Sequence, residues 1–147
     1  MYHFILGFEL LCCKKIKTGH GVPALPQDDL VYLCCSFTAL VGSGIQWCFT
    51  DGNAATRITE FFTNEDDYKM LDWKSIYSTE WNDNNSDGDH DRMRKKHAEF
   101  LVKDHVPVKY IRCIVVKTPQ RHELIQQWVD DMALDIKIYS DKPQFYF

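Results

Sequence analysis

A crowded basic run that ends abruptly in a short apolar segment constrains this chain most: His90-Asp91-Arg92-Met93-Arg94-Lys95-Lys96-His97-Ala98-Glu99-Phe100-Leu101-Val102. Lys103-Asp104 and then Pro107 bound the apolar end, so Ala98 to Val102 is short enough to read as a strand. Alternation puts Ala98, Phe100 and Val102 on one face and Glu99 with Leu101 on the other. Glu99 is then the only ionisable group in an apolar run, and a carboxylate so placed is either paired across a sheet or functional. Arg92, Arg94, Lys95 and Lys96 favour function, because they can neutralise phosphates beside a carboxylate that stabilises a developing cation.

The 147 residues suit one domain spanning 1–147, and 45% hydrophobic with 14% aromatic content is enough to build a core. A net charge of −4 means that any site for a polyanion is local. The cysteines, Cys12-Cys13, Cys34-Cys35, Cys48 and Cys113, form no C-x-x-C and no zinc-finger spacing with histidine. They are expected to be reduced, mostly buried thiols of a cytoplasmic protein. Met1 to Cys13 is interrupted by Glu9 and lacks a signal peptide's basic leader and cleavage site. No apolar run approaches ~20 residues, so no membrane span is expected.

Along the chain, Tyr2 to Leu11 is expected to be a strand or buried element, and Lys14 to Asp29, with two glycines and two prolines, a connecting loop. Leu30 to Phe37 reads as a strand buried on both faces, Thr38 to Val41 as a helical turn, and Ile45 to Thr50 as a second strand. That strand runs into Asp51-Gly52-Asn53. The sequence is common turn chemistry, but it also suits a loop presenting Asp51 and Asn53 to a ligand that Gly52 allows to approach closely. Thr56 to Phe62 and Asp66 to Trp81 have helical character, with Met70, Trp73, Ile76 and Tyr77 on the expected core face. After a turn at His105 to Val108, Tyr110 to Val116 reads as a strand. Thr118-Pro119 then caps a helix reaching about Leu134, with Leu124, Trp128 and Met132 four residues apart. Ile136 to Tyr139 and Phe145 to Phe147 are short strand-like tails.

Asn82 to Asp91 is wholly polar. Asp83-x-Asn85-x-Asp87-Gly88-x-x-Asp91 matches the start of an EF-hand loop, yet Arg94 stands where that loop needs a bidentate Glu, so calcium is not expected. A flexible loop that delivers the basic run to its partner is the better reading. Charge is also sorted. From Asn64 to Asp91 the acids Glu65, Asp66, Asp67, Asp72, Glu80, Asp83, Asp87, Asp89 and Asp91 face only Lys69 and Lys74, whereas cations dominate from Arg92 to Arg112. Such a switch gives an acidic protein one basic face, which suits a nucleic-acid strand.

Phe49-Thr50-Asp51-Gly52-Asn53-Ala54, Leu71-Asp72-Trp73, Trp81, and Arg92-x-Arg94-Lys95-Lys96-x-Ala98-Glu99-Phe100-Leu101-Val102 followed by Val106-Pro107 resemble the DarT family of toxins that ADP-ribosylate DNA bases. The resemblance is strongest over residues 23–117. It implies an α+β fold of the ADP-ribosyltransferase kind, a mixed or antiparallel sheet core with flanking helices. It implies NAD as co-substrate, no metal, single-stranded DNA as acceptor, and a macrodomain antitoxin as an expected partner. Glu99 is the catalytic carboxylate on this resemblance. Asn82 to Asp91 with Arg92, Arg94, Lys95 and Lys96 form the substrate-recognition loop, and Asp51, Gly52 and Asn53 lie on the acceptor side. Family members carry a His-containing NAD motif and a supporting Arg ahead of the strand that Tyr2 to Ile5 resembles; neither occurs in this sequence. The chain is therefore expected to lack its front segment, to bind NAD weakly or not at all, to show at most trace transferase activity and to self-associate. The alternative is an inactive DNA-binding remnant of the same fold; a metal-dependent nuclease using Asp83 to Asp91 is a weaker third.

Overall fold

The computed structural model describes residues 26–78, 80, 81, 83, 88–140 and 142. In chain order the elements are β1 (Val31–Cys35), α1 (Phe37–Val41), β2 (Trp47–Thr50), β3 (Phe61–Phe62), α2 (Trp73–Tyr77), α3 (Arg92–Lys95), β4 (Phe100–Val102), β5 (Ile111–Val116), α4 (Pro119–Asp131) and β6 (Lys137–Tyr139). Three 3-10 turns, Gln27–Asp29, Glu65–Met70 and Val108–Tyr110, complete them. The expected elements at Tyr2 to Leu11 and Phe145 to Phe147 lie outside the described residues. The chain divides into two compact units, whose described parts are 41–106 and 26–40 with 107–142.

The first unit holds an antiparallel sheet in the order β3-β2-β4. Phe49 lies opposite both Phe62 and Phe100, and Trp47 opposite Val102, so large apolar side chains share one face. Phe49 stacks on Phe62 with ring centroids 5.1 Å apart and Trp47 on Phe100 at 5.6 Å. Such pairs add roughly 0.5–1.5 kcal/mol each beyond the area they bury. Glu99 and Leu101 take the other face, as alternation predicts.

Between β2 and α3 the structure departs from the helical expectation. Asn53 O accepts from Thr56 N at 2.9 Å and from Thr59 Oγ1 at 2.7 Å, so Thr56 to Phe62 is a coil of turns ending in β3. Three of its residues, Thr56, Ile58 and Thr59, are β-branched and weak helix formers. The stretch Asp66 to Trp81 breaks at Leu71-Asp72, because Asp72 caps α2 by accepting from Ser75 N at 3.1 Å. The break resets the helical phase, which leaves Ile76 buried but Met70 and Tyr77 exposed.

The second unit pairs β1 antiparallel with β5, and β5 parallel with β6, in the order β1-β5-β6. A parallel neighbour needs a crossover, which α4 supplies. Thr118 Oγ1 accepts from Arg121 N at 3.3 Å and Pro119 occupies the first turn, as the sequence predicts. Ile125 and Val129, with Ile114, Val116 and Ile138, make the core; Trp128 and Met132 are 51% and 60% exposed. The stripe 125/129 lies only one residue from 124/128, about 100° around the helix, so periodicity alone picked the wrong one. β1 is partly exposed rather than buried on both faces; among the described residues only β5 pairs with it. The cysteines Cys34, Cys35, Cys48 and Cys113 are free and half-buried. Burial, and then Cys113 opposite it on β5, pushes the Cys34 thiol up to about 12.

Candidate active site

Register places Glu99. With Phe49 opposite Phe100, Thr50 at the end of β2 meets Glu99 just ahead of β4. Thr50 N donates to Glu99 O at 2.8 Å, and Glu99 N donates to Thr50 Oγ1 at 3.0 Å. The same hydroxyl donates to Gly52 O at 2.6 Å. Thr50 is 0% exposed, so these bonds are sheltered from water and fix the backbone beneath the carboxylate. Ala54 N donates to Glu99 Oε2 at 3.4 Å, at the long end for a hydrogen bond. Glu99 itself is partly exposed. A rigidly seated carboxylate that remains reachable can meet a ligand. Thr50 was not marked out by the sequence, because a threonine ending a strand looks like ordinary β-propensity.

The loop after β2 is tied down at several points. Asp51 Oδ1 accepts from Glu60 N at 2.8 Å, and Asn53 Oδ1 accepts from Ala55 N at 2.8 Å in a local Asx turn. Arg94 reaches back to this loop. One guanidinium nitrogen lies 2.9 Å from Asp51 Oδ2, and the other side of the fork is bidentate to Asp91 at 2.9 and 2.7 Å. Asp91 first and Asp51 second hold the guanidinium charge, raising its pKa above the ordinary arginine value. A Cβ on Gly52 would stand 2.7 Å from Arg94 Nη1 and 2.9 Å from its Cγ. The close approach that this glycine permits is to Arg94.

The remaining cations of the run also find partners within the protein. Arg92 and Lys96 are each 2% exposed. Arg92 Nη1 lies 2.5 Å from Glu80 Oε2. Lys96 Nζ donates to Ile76 O at 3.1 Å and to Ser78 O, and sits 4.4 Å from the centroid of the Trp81 ring. Burial, with Arg92 nearby, lowers its pKa. Lys95 Nζ bridges Asp72 Oδ2 at 2.8 Å and Asp89 Oδ1 at 3.0 Å. The Ser75 hydroxyl donates to Asp89 Oδ2 and, with Lys95, holds the Asp89 carboxyl down to about 2. The two banks of charge sorted along the sequence thus face each other across short ion pairs. Glu99, Asp51, Gly52, Asn53 and Arg94 come together; Arg92, Lys95 and Lys96 sit behind them, against α2 and the segment after it. Half of Asn82 to Asp91, residues 82 and 84–87, lies outside the described residues. Among the described residues no group of three or more His, Cys, Asp or Glu is disposed to hold a metal ion. No described helix is long and apolar enough to cross a membrane.

The family described as "ssDNA thymidine ADP-ribosyltransferase, DarT" matches residues 12–147. A "DNA ADP-ribosyl transferase" of Mycobacterium tuberculosis is 30% identical over 133 residues, covering 88% of this chain and 55% of that protein. The chain thus spans about half the length of the curated relatives it matches. The Thermus sp. 2.9 DarT structure in complex with carba-NAD+ superposes with a TM-score of 0.85 at 21% identity, over 99% of this chain and 73% of that one. The same protein in complex with ADP-ribosylated ssDNA gives 0.81 at 22% identity, over 92% and 64%. The α+β fold with two small sheets is the DarT fold, and with a family match running from residue 12 to 147 the chain belongs to the DarT family.

Proposed function

We propose that this chain belongs to a DNA ADP-ribosyltransferase that moves ADP-ribose from NAD to a base in single-stranded DNA, thymidine by the family's description. The observation that carries this reading is the Glu99 carboxylate: backbone-locked by buried Thr50, met by the Ala54 amide and still reachable at the edge of a sheet. The relatives' names, and the complexes of Thermus DarT with carba-NAD+ and with ADP-ribosylated ssDNA, support it.

Glu99 holds a ribose hydroxyl of NAD and places negative charge near the ribose carbon as its bond to nicotinamide breaks. That bond's electron pair leaves with nicotinamide, and a ring nitrogen of the base forms the new bond to the same carbon. The base's proton is lost, with Glu99 placed to help take it. Asp51, Gly52 and Asn53 border the acceptor side. Among the described residues these suit the ribose and the acceptor; no Gly-rich loop at a helix N-terminus suits the pyrophosphate. A macrodomain antitoxin is a proposed partner, supported by the resemblance of this fold to Thermosipho africanus DarTG in complex with ADP-ribose, and a reducing cytoplasm suits the free thiols. Incubating the protein with NAD and a thymidine-containing oligonucleotide, with mass spectrometry of the DNA, tests the reading; unmodified DNA at every protein concentration would contradict it.

A further inference from the structure

We infer that Arg94 is a positioning residue that acts on transfer through the loop Asp51–Ala54 and Glu99, and does not contact DNA phosphate. This rests on the reading of Glu99 as the catalytic carboxylate.

Three observations lead to it. The Arg94 fork is already filled. Its Nε and one terminal nitrogen engage Asp91, while the other terminal nitrogen engages the Asp51 carboxylate at 2.9 Å and donates to the Asp51 carbonyl at 3.3 Å. A guanidinium spent on two carboxylates has little left for a phosphate. Second, the side chain lies against Gly52, where any Cβ would come within 3.0 Å of it. Third, the held loop is the one that meets Glu99: Thr50 Oγ1 bridges Gly52 O and Glu99 N, and Ala54 N reaches Glu99 Oε2. A rigid fork joined to Asp51 at one end of this loop therefore governs where the Ala54 amide stands at the other. Lysine cannot copy it, since one ammonium lacks the planar two-sided geometry.

The test compares the unsubstituted chain with Arg94→Gln, Arg94→Lys and Glu99→Gln. The first readout is amide hydrogen exchange at Ala54 and at Glu60, whose N–H is held by Asp51 Oδ1. The second is binding to an oligo(dT) strand as a function of salt. The third is transfer from NAD, resolved into kcat and KM for DNA. Both Arg94 variants should lose protection at Ala54 and Glu60 with the salt slope unchanged, and should lower kcat by ~10–100-fold with KM for DNA nearly constant, as misplacement of a reacting group does. A salt slope shallower by about 0.7, with protection intact, identifies a phosphate contact and overturns the proposal. Protection and kcat both unchanged in Arg94→Gln also overturn it. Transfer surviving in Glu99→Gln defeats the reading of the catalytic carboxylate instead, and exchange at Ala54 still decides the clamp.

Discussion

Thr50 and Glu99 sit opposite each other where β2 ends and β4 begins, the Thr50 amide giving to the Glu99 carbonyl at 2.8 Å and the Glu99 amide to the Thr50 hydroxyl at 3.0 Å. That hydroxyl also holds Gly52 O at 2.6 Å, so one buried side chain ties the strand carrying the carboxylate to the loop beside it. Thr50→Val keeps the shape and the β-branch but leaves the Glu99 N–H and Gly52 C=O without their partner. The expected cost is about 1–3 kcal/mol by urea denaturation, with transfer activity falling further than stability accounts for. Thr50→Ser, which keeps the hydroxyl, should cost less than half as much. Equal stability of Thr50→Val and the unsubstituted protein would show that the hydroxyl is not structural.

Gly52 tests the same corner from the other side. Gly52→Ala places a methyl group 2.7 Å from Arg94 Nη1, which must move. A penalty of about 1–3 kcal/mol is expected, as for other overpacked sites. In an Arg94→Ala background much of it should vanish, leaving the contact with the Arg94 carbonyl at 3.1 Å. Additive penalties in this double-mutant cycle would mean that the two residues do not meet.

Acid should loosen the packing of α2 against α3. The Asp89 carboxyl is held at about 2, below its ordinary 3.8, by the Ser75 hydroxyl and then Lys95. A depressed carboxylate pKa contributes stability that is present above the unfolded value and is lost as pH falls from about 4 towards 2. Asp72, lowered chiefly by Lys95, works in the same direction. Urea midpoints measured across that window should fall with pH, and Ser75→Ala should flatten the fall. An identical acid profile in the variant would remove Ser75 from the account.

Arg92 and Lys96 are expected to matter for the fold more than for contact with DNA. Lys96→Met leaves Ile76 O and Ser78 O without the ammonium that serves them, and Arg92→Gln leaves Glu80 without its partner. Each should lower stability by roughly 1.5–3 kcal/mol, as loss of a hydrogen bond to a charged group does. The log–log salt slope of oligo(dT) binding should stay the same; a slope shallower by about 0.7 for either variant would place that side chain on a phosphate.

What was legible in the sequence was local. The alternation around Glu99 and the Thr118-Pro119 helix start depend on neighbours within a few residues, and both appear in the structure. The charge run was read correctly as a cluster and incompletely as to its partners. Arg94 meets Asp51 across 43 positions and Lys95 meets Asp72 across 23, and no local pattern announces such pairings. The helix expected over Thr56 to Phe62 gave way to long-range pairing, since β2 recruits Phe61 and Phe62 as a third strand. Thr50 escaped notice for the same reason: its role exists only once Glu99 lies opposite.

The proposed function stands or falls with Glu99. The most direct test is mass spectrometry of a thymidine-containing single strand after incubation with NAD and either the unsubstituted chain or Glu99→Gln, the two matched for folding by circular dichroism. A strand heavier by one ADP-ribose is expected with the unsubstituted chain, whatever the yield, and none with Glu99→Gln, because the charge proposed to act in the transition state is lost. Equal adduct with both proteins would contradict it.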